Sequence, residues 1–306
     1  MVISMGIPGF RKRFLLLGIG VLLGGLLAGR YALCSPVLLV TDTPFETLYG
    51  PRRAELKRIE IMLRIGRQVK RVLIGENAGP DMVSFALEEA HRSPYRVLVP
   101  YRYYEGAARY AEHFPQVPVI ILGGRSQDPQ APGTIFVGTD TMLDLYRAGL
   151  CAGILAEYQR DGEDSVPGEV LFFQNERLTP EYQEAFSRGL REQGFTKEPK
   201  YLTVHQDYAD IKYISCIVMQ GAGTSVLERN LTIPVILFSW IDPALSSRMV
   251  KLVFDDAPWT LARKAVALIP DEQGGAIPSA WVFPEGRIAT KEVLGRLKKV
   301  LSKSIF

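Results

Sequence analysis

From Val37 to Phe283, short apolar runs alternate with amphipathic stretches, and this rhythm constrains the fold more than any other feature of the chain. Val37–Val40, Val72–Ile74, Arg96–Pro100, Val117–Leu122 and Thr134–Val137 read as strands. Glu169–Phe173, Tyr201–Val204, Tyr213–Met219 and Val235–Phe238 continue the series. Between them, the spacing predicts helices over Ala54–Val69, Met82–His91 with Asp81 as N-cap, Glu105–Phe114, Thr141–Tyr158 and Pro180–Gln193. Ala148, Gly149, Ala152 and Gly153 give the fourth of these a small-residue face. Short strands separated by helices build parallel sheets covered on both faces.

Roughly nine such strands exceed one mononucleotide-binding half. The chain therefore reads as α/β, with two doubly wound parallel-sheet lobes joined by a hinge. The first lobe is expected over residues 36–137 plus about 256–275, and the second over 138–255 plus about 276–306. Near the C-terminus, Leu252–Phe254 reads as a strand, Pro258–Leu268 as a helix, Pro270–Pro278 as an irregular Gly/Pro-rich passage and Trp281–Phe283 as a last strand. Thr290–Lys303 carries Val293, Leu294, Leu297, Val300 and Leu301 on one side, the stripe of a docked terminal helix.

Residues 1–35 stand apart from this body. Arg11-Lys12-Arg13 precedes Phe14–Gly29, a run of about 16 residues without charge or Pro. A basic flank before an apolar run is the pattern of a signal peptide or an N-terminal membrane anchor. The run is long for a signal core and short for a span, so three readings stay open: a retained anchor, lipidation of Cys34, or cleavage after Cys34. Leu33 is larger than the residue that normally precedes a lipidated Cys. All three readings export the body, facing the periplasm or the exterior, and the first two hold it at the outer face of the cell membrane.

The bulk numbers exclude more than they assign. A net charge of +3, not gathered in one strip, argues against nucleic acid as a partner. Cys151 and Cys216 fall in apolar runs and read as small buried hydrophobes. His91, His113 and His205 show no metal-ligand spacing. Neither a nucleophile elbow nor a phosphate loop with Lys is present, so no enzyme, metal or cofactor is expected. Asp255 and Asp256 are adjacent on a strand and point to opposite faces, which argues against a shared carboxylate site. The turn Gly221-Ala222-Gly223 nearly matches a dinucleotide fingerprint, with Asp242 about 20 residues on. Val226 occupies the third glycine position, the following helix is too short, and the turn lies far from the first strand, so that reading is set aside.

Residues 214–242, ISCIVMQGAGTSVLERNLTIPVILFSWID, resemble the second-lobe segment of the basic membrane protein family, the purine nucleoside receptors and related substrate-binding lipoproteins of ATP-driven importers. Gly223 and Thr224 match that family's glycine turn, with Ala222 and Ser225 standing where it has glycines. Residues 141–195 are similar to its Ala-Gly helix, strand and Phe-x-x-Gly helix, the last seen at Phe186–Gly189. The wider resemblance, to type I periplasmic binding proteins, covers nearly everything after residue 36. It implies crossings between lobes near Gly138-Thr139-Asp140, Phe254-Asp255 and Gly275–Pro278, with a small polar ligand such as a nucleoside or sugar held between the lobes. It also implies an ABC transporter permease as partner. The contacts expected there are Asp42, Asp140 and Asp242 as acceptors, and Phe45, Tyr49 and Trp240 as stacking rings. Asn175 is expected as donor and acceptor, and Gly124, Gly221 and Gly223 as points of close backbone approach.

Overall fold

The computed structural model describes residues 34–123, 131–159, 168–174, 178–203, 211, 213–220, 232–238, 248–267, 275–284, 286–288 and 290–302. Its elements, in chain order, begin with β1 (Val37–Asp42), α1 (Thr43–Tyr49), α2 (Pro51–Ile65), β2 (Val69–Ile74), α3 (Pro80–Ala90), β3 (Arg96–Pro100), α4 (Tyr104–His113), β4 (Val119–Leu122) and β5 (Thr134–Thr139). Then follow α5 (Thr141–Tyr158), β6 (Glu169–Gln174), α6 (Pro180–Glu192), β7 (Lys200–Thr203), β8 (Ile214–Gln220), β9 (Val235–Phe238) and β10 (Val250–Asp255). The chain closes with α7 (Pro258–Ala265), β11 (Gly275–Ile277), β12 (Ala280–Val282) and α8 (Lys291–Leu301).

The strands form two six-stranded sheets, ordered β11-β5-β4-β3-β1-β2 and β12-β10-β9-β8-β6-β7. Every pairing is parallel except that of β10 with β12. Two α/β lobes result, as the alternation predicts. The chain passes between them three times: β5 to α5 at residues 139–141, β10 to α7 at 255–258, and β11 to β12 at 277–280.

Strand alternation divides the core. In lobe 1, Leu38, Val40, Val97, Val99, Val119 and Ile121 pack under α3 and α4, and Val37, Leu39, Leu98 and Ile120 face the side of α2 and α7. In lobe 2, Val170, Phe172, Cys216, Val218 and Phe254 pack under α5, α6 and α8. Cys151 and Cys216 are free and buried, and burial pushes both thiols up, which fits their reading as small apolar side chains. The terminal helix docks through Val293, Leu297, Val300 and Leu301, with Thr290 Oγ1 accepting from Val293 N at 3.2 Å as its N-cap.

The small-residue face of α5 meets α6 at backbone distance. A Cβ on Gly149 would lie 2.2 Å from Phe186 O, and one on Gly189 would lie 2.2 Å from Tyr146 O. No side chain fits at either position.

Several local boundaries differ from the sequence reading. The helix expected over Ala54–Val69 begins at Pro51 and stops at Ile65. Gly66 takes the left-handed conformation (φ 64) and donates to Met62 O, freeing Val69–Arg71 to join β2. Asp81 is not the N-cap of α3. Gly79 holds that position with Pro80 at the first helical site, and Asp81 sits in the first turn, ion-paired with Arg109. Thr41–Pro44 does not simply end the first strand: Thr41 and Asp42 remain in β1 and Thr43 opens α1. Gly275–Ile277, expected to be irregular, is an edge strand paired with β5.

Candidate functional site

In parallel sheets the loops that follow the strands converge at the carboxyl ends, where ligands bind in such folds. In lobe 1 these ends are Asp42, Ile74, Pro100, Leu122, Thr139 and Ile277; in lobe 2 they include Gln174, Gln220, Phe238 and Asp255.

The lobe 1 end is built around Asp42, which is 1% exposed. Its Oδ2 receives Arg102 Nη1 at 3.1 Å and the Tyr103 hydroxyl at 3.2 Å. Arg102 Nη2 also donates to Glu76 O at 2.9 Å, so the guanidinium bridges the ends of β1 and β2. Burial, then the adjacent Asp42 charge, raises the Tyr103 pKa and keeps its hydroxyl a donor. Glu46 on α1 accepts from Thr41 Oγ1 at 3.0 Å and from Arg71 at 3.2 Å. Next to this network lies a cavity of about 370 Å³, lined by Pro80, Val83, Tyr101, Arg102, Tyr104 and Glu105 among others. Tyr101 and Tyr104 are stacked at 6.1 Å between ring centroids and 16° between planes, and both rings contact Phe136. A parallel pair of phenol rings beside a guanidinium suits a flat or ring-shaped polar molecule.

The second cluster lies on the crossings. Asp144, in the first turn of α5 and 2% exposed, accepts from Ser279 N through both oxygens, at 3.2 and 3.1 Å. Lys264 on α7 donates its Nζ to Pro278 O. The third crossing is thus held by a carboxylate from one lobe and an ammonium from the other. Burial pushes Asp144 up to about 6, against the opposing effect of the Ser279 bonds. Asp255, at the end of β10, accepts from Ala257 N at 3.2 Å, Thr260 Oγ1 at 2.9 Å and Arg53 Nη2 at 3.5 Å. Burial raises its pKa as well. Asp256 is pushed up to about 7 by burial and then by Asp255.

The expected contacts are distributed as follows. Asp42 lies at the strand end and holds Arg102 and Tyr103. Phe45 lies in the backbone of α1. Tyr49 is wholly buried beside the second crossing, its ring 5.4 Å beneath the Arg53 guanidinium. Asp140 caps α5, accepting from Leu143 N at 3.1 Å. Gly124, Asn175, Gly221, Gly223, Trp240 and Asp242 lie outside the described residues. Tyr101, Arg102 and Tyr104 are not among the residues singled out from sequence. Their signal is the run Tyr101-Arg102-Tyr103-Tyr104, dense in rings and directly behind a strand end. Among the described residues, no group of His, Cys, Asp and Glu is placed to hold a metal ion, and no helix is long and apolar enough to cross a membrane.

No protein-family model matches the chain. No curated protein matches it either. Solved structures do. An ABC transporter solute-binding protein from Conexibacter woesei is 15% identical, with a TM-score of 0.54 over 88% of this chain and 95% of its own. A transcriptional activator of the comK gene from Bacillus halodurans is 12% identical, with a TM-score of 0.56 over 88% and 96%. A LacI transcriptional regulator from a Rhodococcus species is 13% identical, with a TM-score of 0.55 over 81% and 96%. The two lobes, parallel sheets and three crossings are those of the type I periplasmic binding protein-like fold. Solute-binding proteins and transcriptional regulators both use it, and at these identities the likeness defines the fold alone.

Proposed function

We propose that the protein is an exported, membrane-attached solute-binding protein that captures a small polar ligand between its lobes for an ATP-driven importer. The observation that carries the reading is the lobe 1 strand end. There the Asp42-anchored Arg102 and the stacked Tyr101 and Tyr104 border a cavity of about 370 Å³, within the size range of small-molecule sites. Arg102 would supply directed donors to hydroxyl, carbonyl or anionic groups, and the tyrosines would cover a ring face. Asp42 would act through Arg102, fixing the guanidinium. A ligand that touches both lobes favours their closed arrangement, and that difference in affinity drives closure. Sugars and nucleosides fit this chemistry. The resemblance to the basic membrane protein family supports a nucleoside, though its match lies chiefly in the second lobe.

A second reading has one observation in its favour. The polar groups at the lobe 1 strand ends already satisfy one another, as Asp42 does with Arg102 and Tyr103, and Glu46 with Thr41 and Arg71. A binding fold whose cleft groups are internally paired suits a sensor or scaffold of a membrane complex. One thermal-shift screen of nucleosides, sugars and amino acids separates the two. The solute-binding reading expects at least one compound to raise Tm by several degrees, with the shift lost in Arg102→Ala and reduced in Tyr101→Ala. A screen without any stabilising compound would overturn it in favour of the scaffold.

A further inference from the structure

The chain enters lobe 1 at the end opposite the strand carboxyl termini. Ser35 O accepts from Arg67 Nη1 at 3.2 Å, Val37 N donates to Gln68 O at 2.8 Å, and Tyr95 N donates to Pro36 O at 2.7 Å. Residues 35–36 are therefore clamped between the loops that lead into β2 and β3. Only residues 30–34 separate this clamp from the end of the apolar run at Gly29. Five residues span at most about 18 Å when fully extended. On the anchored reading of that run, this end of the lobe cannot stand far from the bilayer.

The surface at this end is basic. Arg64 at the end of α2, Arg67 in the following loop, Lys70 at the start of β2 and Arg92 after α3 all lie there, and Arg64, Lys70 and Arg92 are exposed. None of the four is ion-paired with a carboxylate among the described residues. Arg67 stacks on Tyr95 with its guanidinium 3.9 Å from the ring centre, and Lys70 donates to Ala90 O. Among the described residues, the opposing charges nearby are Glu89 and Glu112, in the last turns of α3 and α4; His113 faces Glu88 at 3.4 Å. Leu63, beside Arg64 on the outer face of α2, is 71% exposed. Cations flanking a protruding Leu suit the headgroup layer of an anionic membrane, and unpaired cations feel that surface within a Debye length of about 8–10 Å.

We infer that this end of lobe 1, centred on Arg64, Arg67, Lys70 and Arg92, docks on an anionic lipid bilayer. The short tether brings it there, and docking turns the strand carboxyl ends away from the membrane. The inference rests on the membrane-attached part of the proposed function and is independent of any ligand.

The test uses the full chain in lipid nanodiscs, either neutral or containing phosphatidylglycerol, with hydrogen exchange followed at residues 64–70 and 91–95. Exchange there is expected to be roughly tenfold slower in the anionic discs, which corresponds to about 1.4 kcal/mol. High salt and the triple variant Arg64→Glu, Lys70→Glu, Arg92→Glu should each remove the difference. Equal rates in the two discs would overturn the docking while leaving the anchor intact, provided the chain is retained in neutral discs. Failure to enter any disc overturns both anchor and docking. Protection that depends on protein concentration and not on lipid charge would assign the surface to a second copy of the chain and overturn the proposal. The salt arm decides the matter should the triple variant fail to fold.

Discussion

The helix pairs that follow the first and second crossings are held together by opposite means. In lobe 2, α5 and α6 touch through Gly149 and Gly189, each backbone within van der Waals reach of the other helix. In lobe 1, α2 and α7 meet through charged side chains: Arg263 to Glu60 at 2.7 Å, with Lys57 on the same carboxylate at 3.0 Å. A backbone contact has one geometry, because nothing flexible lies between the helices. A contact through Arg and Glu has several, because long side chains follow small displacements. Both α5 and α7 begin directly after a crossing, so the difference sits at the hinge. Lobe 2 presents it with a rigid pair, and lobe 1 with an adjustable one.

The largest effect should come from the rigid pair. Gly149→Val places a branched side chain where a single Cβ already lies 2.2 Å from Phe186 O. The helices must separate, and the cost should be about 4 kcal/mol, the upper end of overpacking losses. Chemical denaturation would show a lower midpoint, or no folded protein. A loss under about 1 kcal/mol would mean that α5 and α6 are not locked.

A smaller effect belongs to the crossing that both lobes hold. Asp144 has a folded pKa of about 6 against an ordinary 3.8. A carboxyl whose pKa is raised by folding binds its proton more tightly in the native state. Its contribution is fully present below the ordinary value and is lost as pH rises through 6. Between pH 5 and 7 the loss from this group alone is about 1 kcal/mol. Asp256, pushed to about 7, acts in the same direction. Unfolding free energies measured across that window should fall with pH, and Asp144→Asn should flatten the slope. A slope unchanged in the variant would assign the dependence elsewhere.

How much of this was legible in the sequence follows from where the signals are local. The two lobes and the small-residue face of α5 both come from periodicity and side-chain size, which a single segment displays. Gly149 was readable because a helix interior has little use for glycine unless another backbone is near. Gly275–Ile277 was not, since three residues of Gly, Ala and Ile carry no strand pattern; pairing with β5 makes them one. Asp42 could be placed at a strand end, but nothing local marks Arg102, 60 positions away, as its partner. The stacked Tyr101 and Tyr104 follow no period, so nothing in the sequence pairs them ahead of the fold. The rest of the expected site falls mostly in residues 221–231 and 239–247, outside the described part of the fold.

The smallest expected effect tests the adjustable side of the comparison. Burial works to raise the Glu60 pKa, but the bonds from Arg263 and Lys57 outweigh it and hold the carboxyl below its ordinary value. A depressed carboxyl stabilises the fold above its ordinary pKa of 4.5 and loses that contribution as pH falls. Both side chains of the Arg263–Glu60 pair are nonetheless partly exposed, at 30% and 43%, so solvent screens the attraction. A double-mutant cycle of Arg263→Ala and Glu60→Ala should therefore give a coupling of about 0.5 kcal/mol at neutral pH. The coupling should shrink in high salt and fade as acid titrates the depressed carboxyl, below its ordinary 4.5. A coupling above about 2 kcal/mol would make the lobe 1 pair as fixed as Gly149 and Gly189 make the other. The hinge would then join two rigid helix pairs, and closure would have to occur within the crossings alone.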